Sequence, residues 1–263
     1  MKFGCCIGLE PARAAILREV GFDFAETDVK NMMKLDDEQF AVLAESFRET
    51  GLPIESACLY LADGMALDRL HADYDTIRAY VNKAAARCHT LGVQTIVFGS
   101  GGSRRRPAEL TEQEMFEDLV LFLKDYAVPS VAPYGIHIVI EPLASCFCDT
   151  IHTVPEAIAL ADAVNSEWVK VLADNYHMSF ENEEETSVAA YTGKLYHVHT
   201  SCPSGGKGRT VPMHGDGYDQ KPFLRAAAAT GCPRISIEAD LNNETFAAQV
   251  ADAITVLREA VEA

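Results

Sequence analysis

Two hydrophobic patterns alternate along this chain. Short, nearly continuous apolar runs of β-branched and aromatic residues each follow a glycine. Longer segments between them carry apolar positions three and four apart, the spacing of one helix face. The glycine-led runs are GFDFAE from Gly21, GLPIESA from Gly51, GVQTIVFG from Gly92, GIHIVIE from Gly135, GKLYHVH from Gly193 and GCPRISIE from Gly231. Glycine closes a helix cheaply in the left-handed conformation, so each marks a helix end immediately before a strand. Runs over residues 2–6 and 168–173 bring the number of predicted strands to eight.

The intervening segments predict helices over residues 11–20, 37–50 and 72–91, the third with Ile77, Val81, Ala84 and Ala85 on one face. A fourth starts at the capping box Thr111-x-x-Glu114 and is expected to break or kink near Pro129 and Pro133. A fifth starts at Thr153-x-x-Glu156 with Pro155 in its first turn. A short sixth is placed at 183–191, a seventh at 221–230, and an eighth from an Asn243 cap to the end. Eight strand–helix alternations with no linker or composition break predict a parallel sheet covered by helices, as one domain over residues 1–263. Eight units in this length fit a closed (β/α)8 TIM barrel. The competing doubly wound sheet would usually carry a Gly-rich turn after its first strand, and Ile7-Gly8-Leu9-Glu10 offers no GxGxxG.

Bulk properties narrow the partners. With 22 Lys and Arg against 39 Asp and Glu, the formal charge is −17, which argues against nucleic acid. No apolar run approaches the roughly 20 residues that span a bilayer, and MKFGCCIGL reads as a first strand rather than a signal peptide. The eight cysteines include no CxxC pair, and Cys146 and Cys148 are too close for a zinc knuckle. Reduced, mostly buried thiols in a cytoplasmic protein are expected.

The candidate chemistry lies where strands end. HIVIEPL ends at Glu141, VKVLADNYHM passes through Asp174 to His177, LYHVHT ends with His197 and His199 on one face, and RISIEAD ends at Glu238. The C-terminal rim of a barrel carries its active site. Glu141, Asp174, His199 and Glu238 would close strands five to eight. Each alone is unremarkable, but burying three carboxylates together without a cation is costly. Three carboxylates and one imidazole suit one divalent ion, with Mn²⁺, Mg²⁺ or Co²⁺ favoured and Zn²⁺ possible.

The motifs HIVIEPL, LADNYHM, YHVHT and ISIEAD resemble those of the xylose isomerase-like barrels, and most of all the sugar phosphate isomerase/epimerase branch that includes the D-tagatose 3-epimerases. The resemblance covers nearly the whole chain and is most specific from Glu141 to Glu238. It implies a single divalent metal held by Glu141, Asp174, His199 and Glu238, with Glu141 and Glu238 also acting as the acid/base pair. It implies that His177 and Arg209 contact substrate oxygens. The expected activity is a metal-dependent sugar isomerase or epimerase, working by proton transfer through an enediolate on a ketose or related polyol. The expected partner is that small molecule, with no nucleic acid or membrane, and a homo-oligomer is compatible with it.

Other features have duller readings. FGSGGSRRRP after strand four could cradle a phosphate or carboxylate with Arg104, Arg105 and Arg106, or be a solvated loop. Glu26 ends strand two and favours a structural role, and His197 favours core packing one layer below His199. His214 could reach the site from the loop GRTVPMHGDG, whereas His71, His89 and His152 read as surface or helix positions. A dehydratase of inososes or keto acids would begin with the same proton abstraction. An abasic-site endonuclease would need an Asp-x-His element that this loop lacks. A catalytically dead sugar-binding protein would not need all four ligands.

Overall fold

In the computed structural model, which describes residues 1–203 and 208–262, the eight predicted strands become the wall of a closed barrel. Its strands are β1 (Lys2–Cys6), β2 (Phe24–Asp28), β3 (Ile54–Cys58), β4 (Thr95–Phe98), β5 (His137–Ile140), β6 (Val169–Asp174), β7 (Leu195–Thr200) and β8 (Arg234–Ile237). Every neighbour pairs in parallel and in chain order, and β8 closes on β1 through Lys2 to Cys5 opposite Arg234 to Ile237. All six glycines read as helix stops have positive φ.

The helices cover the wall from outside. They are α1 (Pro11–Val20), α2 (Asp37–Thr50), α3 (Tyr74–Leu91), α4 (Glu112–Phe122), α5 (Val154–Val164), α6 (Asn175–Phe180), α7 (Lys221–Ala229) and α8 (Phe246–Glu262), with short turns between some of them. The alternate residues of β4 and β5 show the two layers. Ile96, Phe98, Ile138 and Ile140 join the large core under the helices, while Val97 and Val139 pack with Cys58 and Leu172 in a smaller cluster. Inside, Gly4 leaves room for Phe24, because a Cβ there would lie 2.4 Å from that ring. None of the described helices is long and apolar enough to cross a membrane. All eight cysteines are free thiols.

Four local expectations need correction. The sixth crossover is not an α-helix over 183–191: the helix sits earlier, in α6, and Glu185–Ala190 forms a 3₁₀ segment. The segment after α4 does not break at its prolines. It continues through a wide π turn at Leu123–Ala127 into Val128–Val131. Pro129 has no N–H for the i−4 carbonyl, and a wider turn beside it accommodates that loss without a break. Thr153 caps α5, but the Glu156 carboxylate turns back to accept from the His152 N–H at 2.6 Å, so the reciprocal box does not form. Asn243 does not cap α8, because its side-chain carbonyl accepts from Arg13, at 2.6 Å from Nη2.

Candidate functional site

The rim at the C-terminal ends of β5 to β8 gathers polar side chains that the strand periodicity points inward. Asp174 and His199 are register partners on β6 and β7. Glu141 follows β5, its N–H donating to Phe98 O at 3.2 Å, and Glu238 follows β8, its N–H donating to Thr200 O at 3.0 Å. Backbone bonds therefore fix both glutamates one step beyond the barrel wall. Glu141, Asp174, His199 and Glu238 each offer a ligand atom, and these atoms lie within 4.8 Å of one another.

His199 is the hub. Its Nε2 is 3.0 Å from Glu26 Oε1, and its Nδ1 is 2.9 Å from Glu238 Oε2 and 3.2 Å from Glu141 Oε1. Burial works against charge on this ring, but Glu26 and Glu238, with hydrogen bonds to Glu141 and Glu238, push its pKa well above the ordinary value. Glu26 is itself fully buried and is shared by His197 Nε2 at 2.8 Å and the Ser236 hydroxyl at 2.7 Å. With Nε2–H donated to Glu26, Nδ1 faces Glu141 and Glu238: it donates to them while the ring is protonated, and its lone pair becomes available to a cation once that proton leaves. A carboxylate behind a ligating imidazole fixes its tautomer and raises its basicity in this way. The donor set thus fits a divalent cation in both chemistry and orientation.

A second group, Cys6, Glu26 and His199, also comes within 4.8 Å. It is the weaker set. Burial, and then the neighbouring Cys58, push the Cys6 thiol well above its ordinary pKa, so it stays neutral. The Nε2 it approaches at 3.9 Å already serves Glu26.

Arg209 and His177 sit beside the carboxylates. Arg209 bridges two of them, pairing with Glu238 through Nη1 and with Asp174 Oδ2 through Nη2 at 2.8 Å, and its guanidinium lies 4.1 Å from the Tyr176 ring centroid. Burial would raise the Glu238 carboxyl, but Arg209 and His199 outweigh it and hold Glu238 below the usual carboxylate range. Burial lifts Asp174 above its ordinary value against the pull of Arg209. His177 Nδ1 accepts from the Ala144 N–H at 3.2 Å, and its Nε2 faces Arg209 Nη2 at 2.9 Å. Burial drives its pKa down to about 4, so the ring is neutral at neutral pH. A neutral ring that accepts at Nδ1 carries its proton on Nε2. The Arg209 contact at 2.9 Å calls instead for an accepting Nε2, so the ring can serve only one of its two neighbours, the Ala144 N–H or Arg209. His177, Arg209, Glu141 and Glu238 all line a cavity of about 650 Å³ that opens above the rim.

The structure separates these residues from other candidates. Arg104 is fully buried, donating Nη2 to Glu141 O at 3.0 Å with its guanidinium over Phe98. Arg105 pairs with Asp149, and Arg106 Nη1 donates to Leu110 O. The three arginines do not converge on one point: Arg104 lies under Glu141 with its Nε and Nη1 buried and without a hydrogen-bond partner among the described residues, while Arg105 turns to Asp149 and Arg106 to Leu110 O. His214 does not reach the site. It pairs with Asp252 and Glu259 of α8, at 2.8 and 3.4 Å. His71 pairs with Asp68, His89 stacks on Tyr134, and His152 Nδ1 lies 3.1 Å from Leu143 O. Part of the long loop over 201–218, residues 204–207, lies outside the described residues.

Sequence reasoning gave Glu26 only a structural role and did not single out Gly99. A Cβ on Gly99 would lie 2.3 Å from Glu141 Oε2, so this position must be bare for the carboxylate to rest against β4. The only available signal was a glycine at a strand end, which is common.

Fold and rim together define a (β/α)8 barrel with a polar constellation at the ends of its last four strands. The sequence profile of the xylose isomerase-like TIM barrel family matches residues 14–260, and the chain belongs to that family. Among solved structures, a D-psicose 3-epimerase from Clostridium cellulolyticum H10, with D-tagatose, is similar over 100% of both chains, at TM-score 0.82 and 16% identity. The 3-keto-D-glucoside 4-epimerase from E. coli is similar over 98% of this chain and 99% of its own, at TM-score 0.78 and 19% identity. An L-ribulose 3-epimerase is similar over 99% and 94%, at TM-score 0.79 and 17% identity. At such identities the likeness carries the fold, and the chemistry has to be argued from the rim.

Proposed function

We propose that this protein is a divalent-metal-dependent sugar isomerase or epimerase acting on a ketose or related polyol. The observation that carries the reading is His199 Nδ1 aimed at Glu238 and Glu141, 2.9 and 3.2 Å away, while Glu26 takes Nε2. That the similar structures are sugar epimerases supports the same reaction class. Glu141, Asp174, His199 and Glu238 would hold the ion, with Mn²⁺, Mg²⁺ or Co²⁺ the best match to three carboxylates and one imidazole, and Zn²⁺ compatible. When bound, the ion would polarise a sugar carbonyl and its neighbouring hydroxyl.

The chain's own residues supply the remaining work. His177 and Arg209 lie side by side, 2.9 Å apart, on the cavity wall and would bind substrate oxygens there. Drawing Arg209 toward such an oxygen loosens its hold on Glu238, which otherwise stays firmly ionised. Glu141, buried and fixed after β5, takes the proton from the carbon beside the carbonyl, giving an enediolate. Glu238, which can take up a proton from water once Arg209 is drawn away, returns that proton from the other side of the rim. Delivery to the opposite face of the same carbon epimerises it, and delivery to the adjacent carbon isomerises aldose and ketose. A panel of ketoses and polyols, assayed with and without Mn²⁺ or Co²⁺, tests the reading. Metal-dependent formation of an epimer or aldose supports it. A dehydrated product, or turnover unaffected by chelator, contradicts it.

A further inference from the structure

The cavity that the reacting groups line has a volume of about 650 Å³. That volume is in the range of about 300–1,000 Å³ that accommodates drug-sized ligands, whereas a hexose has a dozen heavy atoms. The rest of the wall includes Leu59, Leu61, Leu143 and Phe147, none of which can hydrogen-bond through its side chain. Leu61 and Leu143 form a buried bed, Phe147 is half-buried, and Leu59 is 40% exposed.

Leu59 is held in an unusual way. Its φ is +51°, where an L-residue is strained and where leucine has neither the freedom of glycine nor the local hydrogen bonding of Asn. Leu59 O accepts from the Lys30 N–H at 3.0 Å, and the Leu61 N–H donates to Ser100 Oγ at 3.0 Å. Ser100, on the facing loop, also has positive φ, +39°. Two strained residues thus brace one wall, and the result is a leucine side chain directed to the cavity instead of the core. Strain of this kind is retained where the surroundings enforce it, commonly at ligand sites.

Charge agrees with this. Lys30 is matched to Asp63 at 3.0 Å, and Arg209 to Asp174 and Glu238. Arg104 lies beneath Glu141, Arg105 pairs with Asp149 and Arg106 donates to Leu110 O, and none of the three lines the cavity. Among the described residues, each cation lining the cavity already has its carboxylate, so the lining offers a phosphoryl end no unpaired cation.

Resting on the epimerase or isomerase reading above, we propose that the substrate is an unphosphorylated ketose or keto-sugar carrying an apolar alkyl or aryl substituent at the end remote from the reacting carbonyl. Leu59, beside the bed of Leu61 and Leu143, seats that substituent. The test is calorimetric titration of the Mn²⁺-supplemented protein with three unreactive probes: a hexitol, its 6-phosphate and its 6-O-benzyl ether. The benzyl ether should bind at least about tenfold tighter than the hexitol, and the phosphate no tighter. Leu59→Gly keeps the backbone conformation and removes the side chain, and should cut the benzyl-to-hexitol ratio below about threefold. A flat ratio in the parent protein, tightest binding of the phosphate, an undiminished ratio in Leu59→Gly, or no binding of any probe would each overturn the proposal. These readouts need no turnover. Ketose epimerisation with a flat ratio removes the apolar subsite alone, and a high ratio with no sugar turnover removes the reaction alone.

Discussion

Gly99→Ala perturbs the site through a single atom. Gly99 directly follows β4, and its φ lies outside the left-handed region, so the backbone accepts alanine. The new Cβ would stand 2.3 Å from Glu141 Oε2 and 3.4 Å from Glu141 Cδ. Carbon and oxygen approach to about 3.3 Å at closest comfort, so the carboxylate oxygen must retreat by roughly 1 Å. The Glu141 side chain can swing, so the fold survives, but its carboxylate leaves the position 3.2 Å from His199 Nδ1. A 1 Å misplacement of a reacting group can cost about a hundredfold. We expect kcat/KM on the best ketose to fall by about 10–100-fold and Mn²⁺ affinity to fall with it, while the melting temperature changes little. Gly102→Ala is the control, since its Cβ meets nothing within 4 Å. Activity and Mn²⁺ affinity of Gly99→Ala both within threefold of the parent would show that the Glu141 position does not matter, and the reasoning would fail.

Three further outcomes follow from the same geometry. Glu26→Gln weakens the acceptor behind His199 Nε2, and Mn²⁺ affinity measured by chelator competition should drop by about 10–100-fold. His177→Ala should keep its metal by elemental analysis yet lose turnover, whereas His199→Ala loses both; equal metal loss in the two would merge their roles. Burial, and then Asp219, raise Glu185 from 4.5 to about 7, so between those values the native state holds a proton that the unfolded chain has released. Stability should therefore fall as pH rises through that window, and Glu185→Gln should raise the melting temperature more at pH 8 than at pH 5. An equal change at both pH values would contradict the shift.

The barrel was legible because its signals are local. A glycine able to take positive φ at a helix end, then a β-branched run, repeats often enough to number the strands, and α1 and α2 span the residues predicted for them, each closed by its glycine. The strand-end positions of Glu141, Asp174, His199 and Glu238 were also enough to place them on one rim. Contacts that depend on closure were not legible. Glu26 reaches His199 across 173 residues, because β2 and β7 face each other across the barrel interior, and no sequence spacing encodes that. The arginines after β4, left open between an anion cradle and a solvated loop, were not legible for a related reason. Composition suggested an anion cradle, but packing turned each side chain to a different partner, one of them beneath the rim at Glu141 O. Asn243 and Glu156 carried correct capping chemistry but spent it on Arg13 and the His152 N–H.

Proton transfer between Glu141, Glu238 and a sugar carbon is the central claim, and hydrogen exchange reads it directly. A good ketose incubated in D₂O with the Mn²⁺-supplemented protein should gain deuterium at the reacting carbon, seen by proton NMR, as each carboxylic acid exchanges with solvent between turnovers. Glu141→Gln and Glu238→Gln should each abolish net conversion, with exchange surviving only where the remaining glutamate serves its own face. Full conversion of the sugar with no deuterium entering carbon, in the parent protein, would contradict the account.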